Sequence, residues 1–213
     1  MSSGRKVRKN KRNKGPSRRH TRDEEHLSGS ETRYWLIKSE PHSRIDGRTG
    51  RDLKFSLEDL SLVDSEPWDG VRNHEAKRNM LDMSPGDVCL FYHSNCPTPG
   101  IVGLAEVVCY AHPDESQFDR ASPYFASKST RSNPHWWCVD VKFKRRFRAK
   151  VTLRSLKADK NLQHMVLVRR SRLSVTPVTS SEYSYIIELE KSLPDTDDID
   201  CQPRLNVSKT HEV

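Results

Sequence analysis

Two short blocks of this chain set aromatic rings beside hydrogen-bonding side chains: Tyr34-Trp35-Leu36-Ile37-Lys38-Ser39-Glu40-Pro41 and Trp68-Asp69-Gly70-Val71-Arg72-Asn73. A flat ligand gripped by rings and read at its edges needs those residue types, and nucleobases are such ligands. In the first block a strand runs to Ser39 and stops at Pro41, so a hydroxyl and spare backbone groups fall at an element end. Strand alternation sends Trp35 and Ile37 to one side, Leu36 and Lys38 to the other. Trp35 suits a ligand wall and the core about equally. In the second block Trp68 sits on a constrained turn between Pro67 and Gly70. Arg72 and Asn73 then open a helix, where they can donate to a phosphate or a base edge. The plainer alternative makes Asp69 or Asn73 an N-cap and Arg72 a solvated charge.

A third block, Phe91-Tyr92-His93-Ser94-Asn95-Cys96, gathers polar groups just past an apolar strand and is followed by Pro99-Gly100-Ile101-Val102-Gly103. Tyr92, His93 and Ser94 are candidate contacts, and the two glycines would let backbone approach a ligand closely. Cys96 with His93 has the composition of a nucleophilic pair. No third, orienting residue is identifiable, so binding without turnover is expected and no catalytic residue is assigned.

The elements that must position these groups are legible from periodicity and punctuation. A strand is expected at 34–39, and a helix start at Ser56, with Asp59 closing a capping box. A helix is expected over 71–83, with Ala76, Met80 and Met83 on one face. Ser84-Pro85-Gly86-Asp87 is a stop. Residues 88–93 read as a strand buried on both sides, and a wide loop leads to a second strand over 101–110. The stretch 112–135 is irregular. A half-exposed strand follows over 137–144, then a short helix near Leu153 and a brief strand at 173–176 stopped by Pro177. Thr179 and Glu182 form a second capping box for a helix reaching about Leu189, with Tyr183, Ile186 and Ile187 facing in. Strands without strict βαβ alternation argue for an α+β fold around a small, mostly antiparallel barrel with surrounding helices.

Charge is uneven along the 213 residues. The first 22 hold ten basic residues and no acid: Arg5, Lys6, Arg8, Lys9, Lys11, Arg12, Lys14, Arg18, Arg19 and Arg22. The remaining 27 basic residues face 29 acidic ones, so the formal +8 belongs to the tail. The stretch 1–32 is therefore expected to be a disordered basic tail that contacts phosphates and engages an import receptor. Residues 33–190 form the domain, and 191–213 a polar, disordered end. No apolar run reaches the length needed to span a bilayer. Five cysteines without a CxxC pair read as reduced thiols. His93 and Cys96 are not joined by further ligands at metal spacing, so neither a metal nor a cofactor is expected.

These motifs, with Pro134-His135-Trp136, Val139-Asp140-Val141 and Arg172-Leu173-Ser174-Val175-Thr176-Pro177, occur in an order that resembles the EVE domain of the PUA-like superfamily over about 34–190. The resemblance implies a PUA-like barrel with a pocket for a modified base, and a relation to YTH domains, which hold a methylated adenine in an aromatic cage. By that analogy Trp68 is similar to a cage wall, and Lys38-Ser39 resembles the Lys-Ser ending the first YTH strand. Ser39, Trp68, Asn73, Tyr92, His93 and Ser94 carry over, and with Trp35, Lys38 and Arg72 they make up the expected base pocket. The implied function is a monomeric nuclear binder of nucleic acid. Its expected ligand is 5-methyl- or 5-hydroxymethylcytosine in DNA. A reader of modified RNA, an RNA-processing enzyme and a nuclear protein–protein adaptor remain as alternatives.

Overall fold

The computed structural model describes residues 31–194. The N-terminal basic run and Cys201 lie outside the described residues. Strand β1 (Tyr34–Ser39) pairs in parallel with β3 (Val88–His93) and antiparallel with β8 (Val175–Val178). β4 (Gly100–Val107) runs antiparallel between β3 and β7 (Asp140–Thr152), and β2 (Glu66–Pro67) closes the other side of β7. The six-stranded sheet has the order β2-β7-β4-β3-β1-β8 and curls into a half-barrel. A small hairpin of β5 (His112–Pro113) and β6 (Trp137–Cys138) stands beside it.

Both faces of the sheet are covered, as a doubly apolar strand requires. Trp35, Ile37, Cys89 and Phe91 face one core with α1 (Leu57–Ser61) and α2 (His74–Leu81). Leu36, Val88, Leu90 and Tyr92 face the other, with α3 (Leu153–Ala158), α4 (Val166–Arg169) and α5 (Ser180–Ser192). The boxes at Ser56/Asp59 and Thr179/Glu182 both make their reciprocal hydrogen bonds. Ala76, Met80 and Met83 are buried together, and Ile186 is buried beside the half-buried Tyr183 and Ile187.

Several details depart from the sequence expectations. Helix α2 starts at His74, three residues later than expected, because Asn73 is its N-cap and Gly70, at φ +72°, holds the preceding segment in a turn. β4 ends at Val107 instead of running to Tyr110. β7 continues eight residues past Lys144. Its Lys-Arg-rich sequence hides the alternation, while pairing with β4 sustains the strand through two register shifts. Pro177 lies inside β8 rather than stopping it, and Pro67 lies in β2; both are edge strands, where a missing N–H is tolerated. Gly100 and Gly103 admit neighbouring protein, not a ligand. A Cβ at Gly103 would lie 2.4 Å from Leu57 and 2.5 Å from the Arg145 carbonyl, and one at Gly100 would lie 2.6 Å from the Val151 carbonyl.

Candidate functional site

The end of β1, the segment before α1, the Glu66–Arg72 stretch and Tyr124 enclose a cavity of about 390 Å³. That volume suits a small ligand or one extruded base. Its aromatic side is built from the core outward. Trp68 is only 7% exposed and stands edge-on to Phe91 and Phe55, with ring centroids 5.5 and 6.2 Å away. Tyr124 closes the rim because residue 70 is glycine: a Cβ there would sit 2.5 Å from the Tyr124 ring. The backbone N–H of Trp68 donates to the Val139 carbonyl at 2.8 Å, which fixes the wall to the start of β7.

Arg72 holds this wall together. Its Nε and Nη2 donate to the Tyr124 carbonyl at 2.8 and 2.6 Å, Nη2 also to Ser116 Oγ at 3.0 Å. Nη1 donates to Asp114 Oδ2 at 2.7 Å and to the Val71 carbonyl at 3.2 Å. All five guanidinium N–H groups are thereby used. Asp114 is buried and also accepts from the Gly70 N–H at 3.0 Å. Arg72 is thus a clamp between the Trp68 turn and the 114–124 loop, not a donor held ready for phosphate.

The polar side is less saturated. Ser39 lines the cavity, and its hydroxyl is buried with no hydrogen-bond partner among the described residues. Such a group costs about 1–3 kcal/mol unless something supplies a partner. Lys38 lines the same side, donates to the Ser171 carbonyl at 2.7 Å, and is pushed down to about 8 by burial. The carboxyl of Asp69, at the mouth, is pushed up to about 6, first by burial and then by the nearby Asp114 charge. Glu66 is also raised, by burial and by Asp140. Two carboxyls held above their ordinary range thus flank the aromatic wall.

Of the sequence-derived candidates, Lys38, Ser39, Trp68 and Arg72 meet at this cavity. The others do not line it. Trp35 is a core residue whose Nε1 donates to Asp87 Oδ2 at 2.9 Å. Tyr92 faces the opposite core, because strand alternation turns it away from Phe91. His93 is buried, and its Nε2 accepts from the Leu57 N–H at 3.1 Å, anchoring α1. Ser94 supports the site from behind: its N–H and Oγ both donate to the Ser39 carbonyl, at 2.8 and 2.9 Å. Asn73 caps α2 through the Glu75 and Ala76 N–H groups and borders a separate concavity with Arg169, Arg170 and Arg172. Phe55, Glu66, Asp69 and Tyr124 line the cavity without having been singled out. Asp69 belongs to the Trp68–Asn73 motif, where its sequence context suggests a cap. Tyr124 lies in an irregular stretch that carries no periodic signal.

A mixed half-barrel with helices on both faces, opening at the end of β1 into an aromatic and polar cavity, is the architecture of a PUA-like binding domain. The chain belongs to the EVE domain family, whose model matches residues 33–189. Its relatives include thymocyte nuclear protein 1 of Mus musculus, 42% identical over 171 residues that cover 76% of this chain and 75% of the relative. Among solved structures it resembles the human THYN1 protein in complex with 5-methylcytosine containing DNA. That match has a TM-score of 0.73 at 40% identity and covers 76% of this chain and all of that one. A hypothetical protein from Leishmania major is similar as well, with a TM-score of 0.68 at 46% identity, covering 76% and 96% of the two chains.

Proposed function

We propose that this chain is a nuclear reader of modified bases, with 5-methyl- or 5-hydroxymethylcytosine in DNA ahead of a modified base in RNA. The base enters the cavity, lies against Trp68 within the Phe55 and Tyr124 rim, and leaves unaltered. The observation that carries this reading is the pairing of a fixed aromatic wall with polar groups left over for a ligand, Ser39 and Asp69. Cytosine offers an acceptor at N3 beside an amino donor at N4. A neutral carboxylic acid matches both, donating to N3 and accepting from N4, and Asp69 is the group tuned toward that form. The relative solved with 5-methylcytosine containing DNA supports the same ligand class. The ten positive charges of residues 1–22 supply phosphate contact and recognition by an import receptor.

A reader also fits the chemistry around Cys96. Its thiol lies 3.9 Å from the His93 carbonyl, while the His93 Nε2 is engaged by Leu57. The test is fluorescence anisotropy of the full chain with matched DNA and RNA oligonucleotides carrying cytosine, 5-methylcytosine or 5-hydroxymethylcytosine. Mass spectrometry follows each oligonucleotide. Tighter binding of a modified DNA with its mass unchanged is expected. Equal affinity for modified and plain oligonucleotides, or a new product, contradicts the proposal.

A further inference from the structure

A second cluster of chemically capable side chains lies where β4 leaves the sheet and β7 enters it. Cys109, His112 and Asp140 each offer a ligand atom, and all three atoms lie within 4.8 Å of one another. We propose that these three residues bind one zinc-class divalent cation, a site separate from the base cavity.

The donor set suits that ion. Thiolate, imidazole and carboxylate together are zinc ligands, with bond lengths of roughly 2.0–2.3 Å, so two ligands of one tetrahedral ion stand about 3.3–3.8 Å apart. His112 Nε2 and Asp140 Oδ1 lie 2.9 Å apart and would open by about 0.4 Å to admit an ion, while the Cys109 sulfur would move inward by about 1 Å to complete the set. The imidazole is also arranged for coordination. Its Nδ1 faces the Pro113 carbonyl at 3.2 Å while its Nε2 faces the Asp140 carboxylate. A neutral imidazole has one N–H and cannot satisfy two acceptors. A cation at Nε2, with Nδ1–H given to the carbonyl, satisfies both, and this is the usual outer support of a metal-bound histidine. The Asp140 N–H donates to Cys109 Sγ at 3.3 Å, which ties the sulfur to the Asp140 backbone.

The fold holds the pieces in place. His112 pairs with Cys138 across the β5–β6 hairpin, and the Cys138 sulfur lies 3.8 Å from both ring nitrogens. Asp140 pairs with Pro67. Cys109 and His112 are half-buried, so an ion can enter from solvent. On binding, the Cys109 thiol gives its proton to water and the sulfur becomes the anionic ligand. The ion would cross-link the end of β4 to the start of β7, one residue from the Val139 carbonyl that fixes Trp68.

The experiment is a titration of the full, phosphine-reduced chain with Co²⁺, read by absorption and followed by displacement with Zn²⁺. A saturable one-to-one spectrum with visible d–d bands and a near-ultraviolet thiolate band is expected. Cys109→Ser should remove the thiolate band and weaken Zn²⁺ at least a hundredfold. His112→Gln should weaken it at least tenfold, and stands as the independent variant if Cys109→Ser does not fold by circular dichroism. Cys96→Ser should change neither. A spectrum that never saturates, one that survives His112→Gln in a folded protein, or one lost in Cys96→Ser overturns the proposal.

Discussion

The first strand carries two polar environments of opposite character. At its start Trp35 and Asp87 close on each other: Asp87 accepts from the Trp35 indole at 2.9 Å and from the N–H groups of Arg33 and Ser84 at 3.1 and 3.0 Å. At its end, four residues on from Trp35, the Ser39 hydroxyl is buried without a partner among the described residues and the Asp69 carboxyl is displaced from its ordinary range. Both regions contain a buried tryptophan. One is knitted into its surroundings, and the other forms the wall of a cavity. An aromatic ring in a motif does not mark a ligand site by itself, and unsatisfied polar groups around it are what make the cavity the stronger candidate.

Breaking this contrast starts with the larger effect. Trp35→Ala removes a buried ring and one of the donors to the Asp87 carboxylate, so urea denaturation should show a loss of about 3–5 kcal/mol. Base affinity of the remaining folded protein should be unchanged. Trp68→Leu keeps an apolar side chain in the core and should lower affinity for a 5-methylcytosine oligonucleotide roughly ten- to hundredfold, the equivalent of about 1–3 kcal/mol of stacking. Full truncation of Trp68 to alanine would blur the test, because a ring only 7% exposed also supports Phe55 and Phe91. If Trp68→Leu binds as tightly as the parent while Trp35→Ala does not, the assignment of the two regions is reversed.

The sequence told these regions apart only in part. Period-two alternation placed Trp35 with Ile37, and capping chemistry placed Ser56 and Thr179, because both are set by neighbours in the chain. Lys38, Ser39 and Trp68 were legible as a site since they lie at element ends. Tyr124 and Asp114 were not, because 40 or more residues separate them from the turn they pack against, and only the tertiary fold brings them to Arg72. Tyr92 and His93 belong to a polar block past an apolar strand, and the strand turns Tyr92 to the far core while the first helix takes the His93 ring nitrogen, a placement that sequence spacing alone does not give.

Smaller effects sharpen the contrast. Ser39→Ala removes an unpaired buried hydroxyl, so stability should rise by about 1 kcal/mol while base affinity falls several-fold. A drop in both would mean that the hydroxyl has a partner inside the protein. Asp69 adds a pH signature. Its folded pKa is raised, so its stabilising contribution is full below its ordinary range and is lost as pH rises through about 6. Both the thermal midpoint and the affinity for the cytosine ligand should therefore decline between pH 5 and 7.5. Asp69→Asn, which offers a donor and an acceptor at every pH, should flatten both profiles. Profiles unchanged in Asp69→Asn would assign the titration to another group.

The most direct measurement follows the two tryptophans together in one sample. The chain has four tryptophans, hence four indole N–H signals in a nitrogen-15 correlation spectrum, assigned with Trp35→Phe and Trp68→Phe. During titration with an oligonucleotide bearing one 5-methylcytosine, the Trp68 indole signal should move and saturate at the affinity measured by anisotropy. The Trp35 signal, locked to Asp87, should stay in place. A Trp68 signal that does not move while the oligonucleotide binds, or a Trp35 signal that moves in its stead, would contradict the cavity as the site of base recognition.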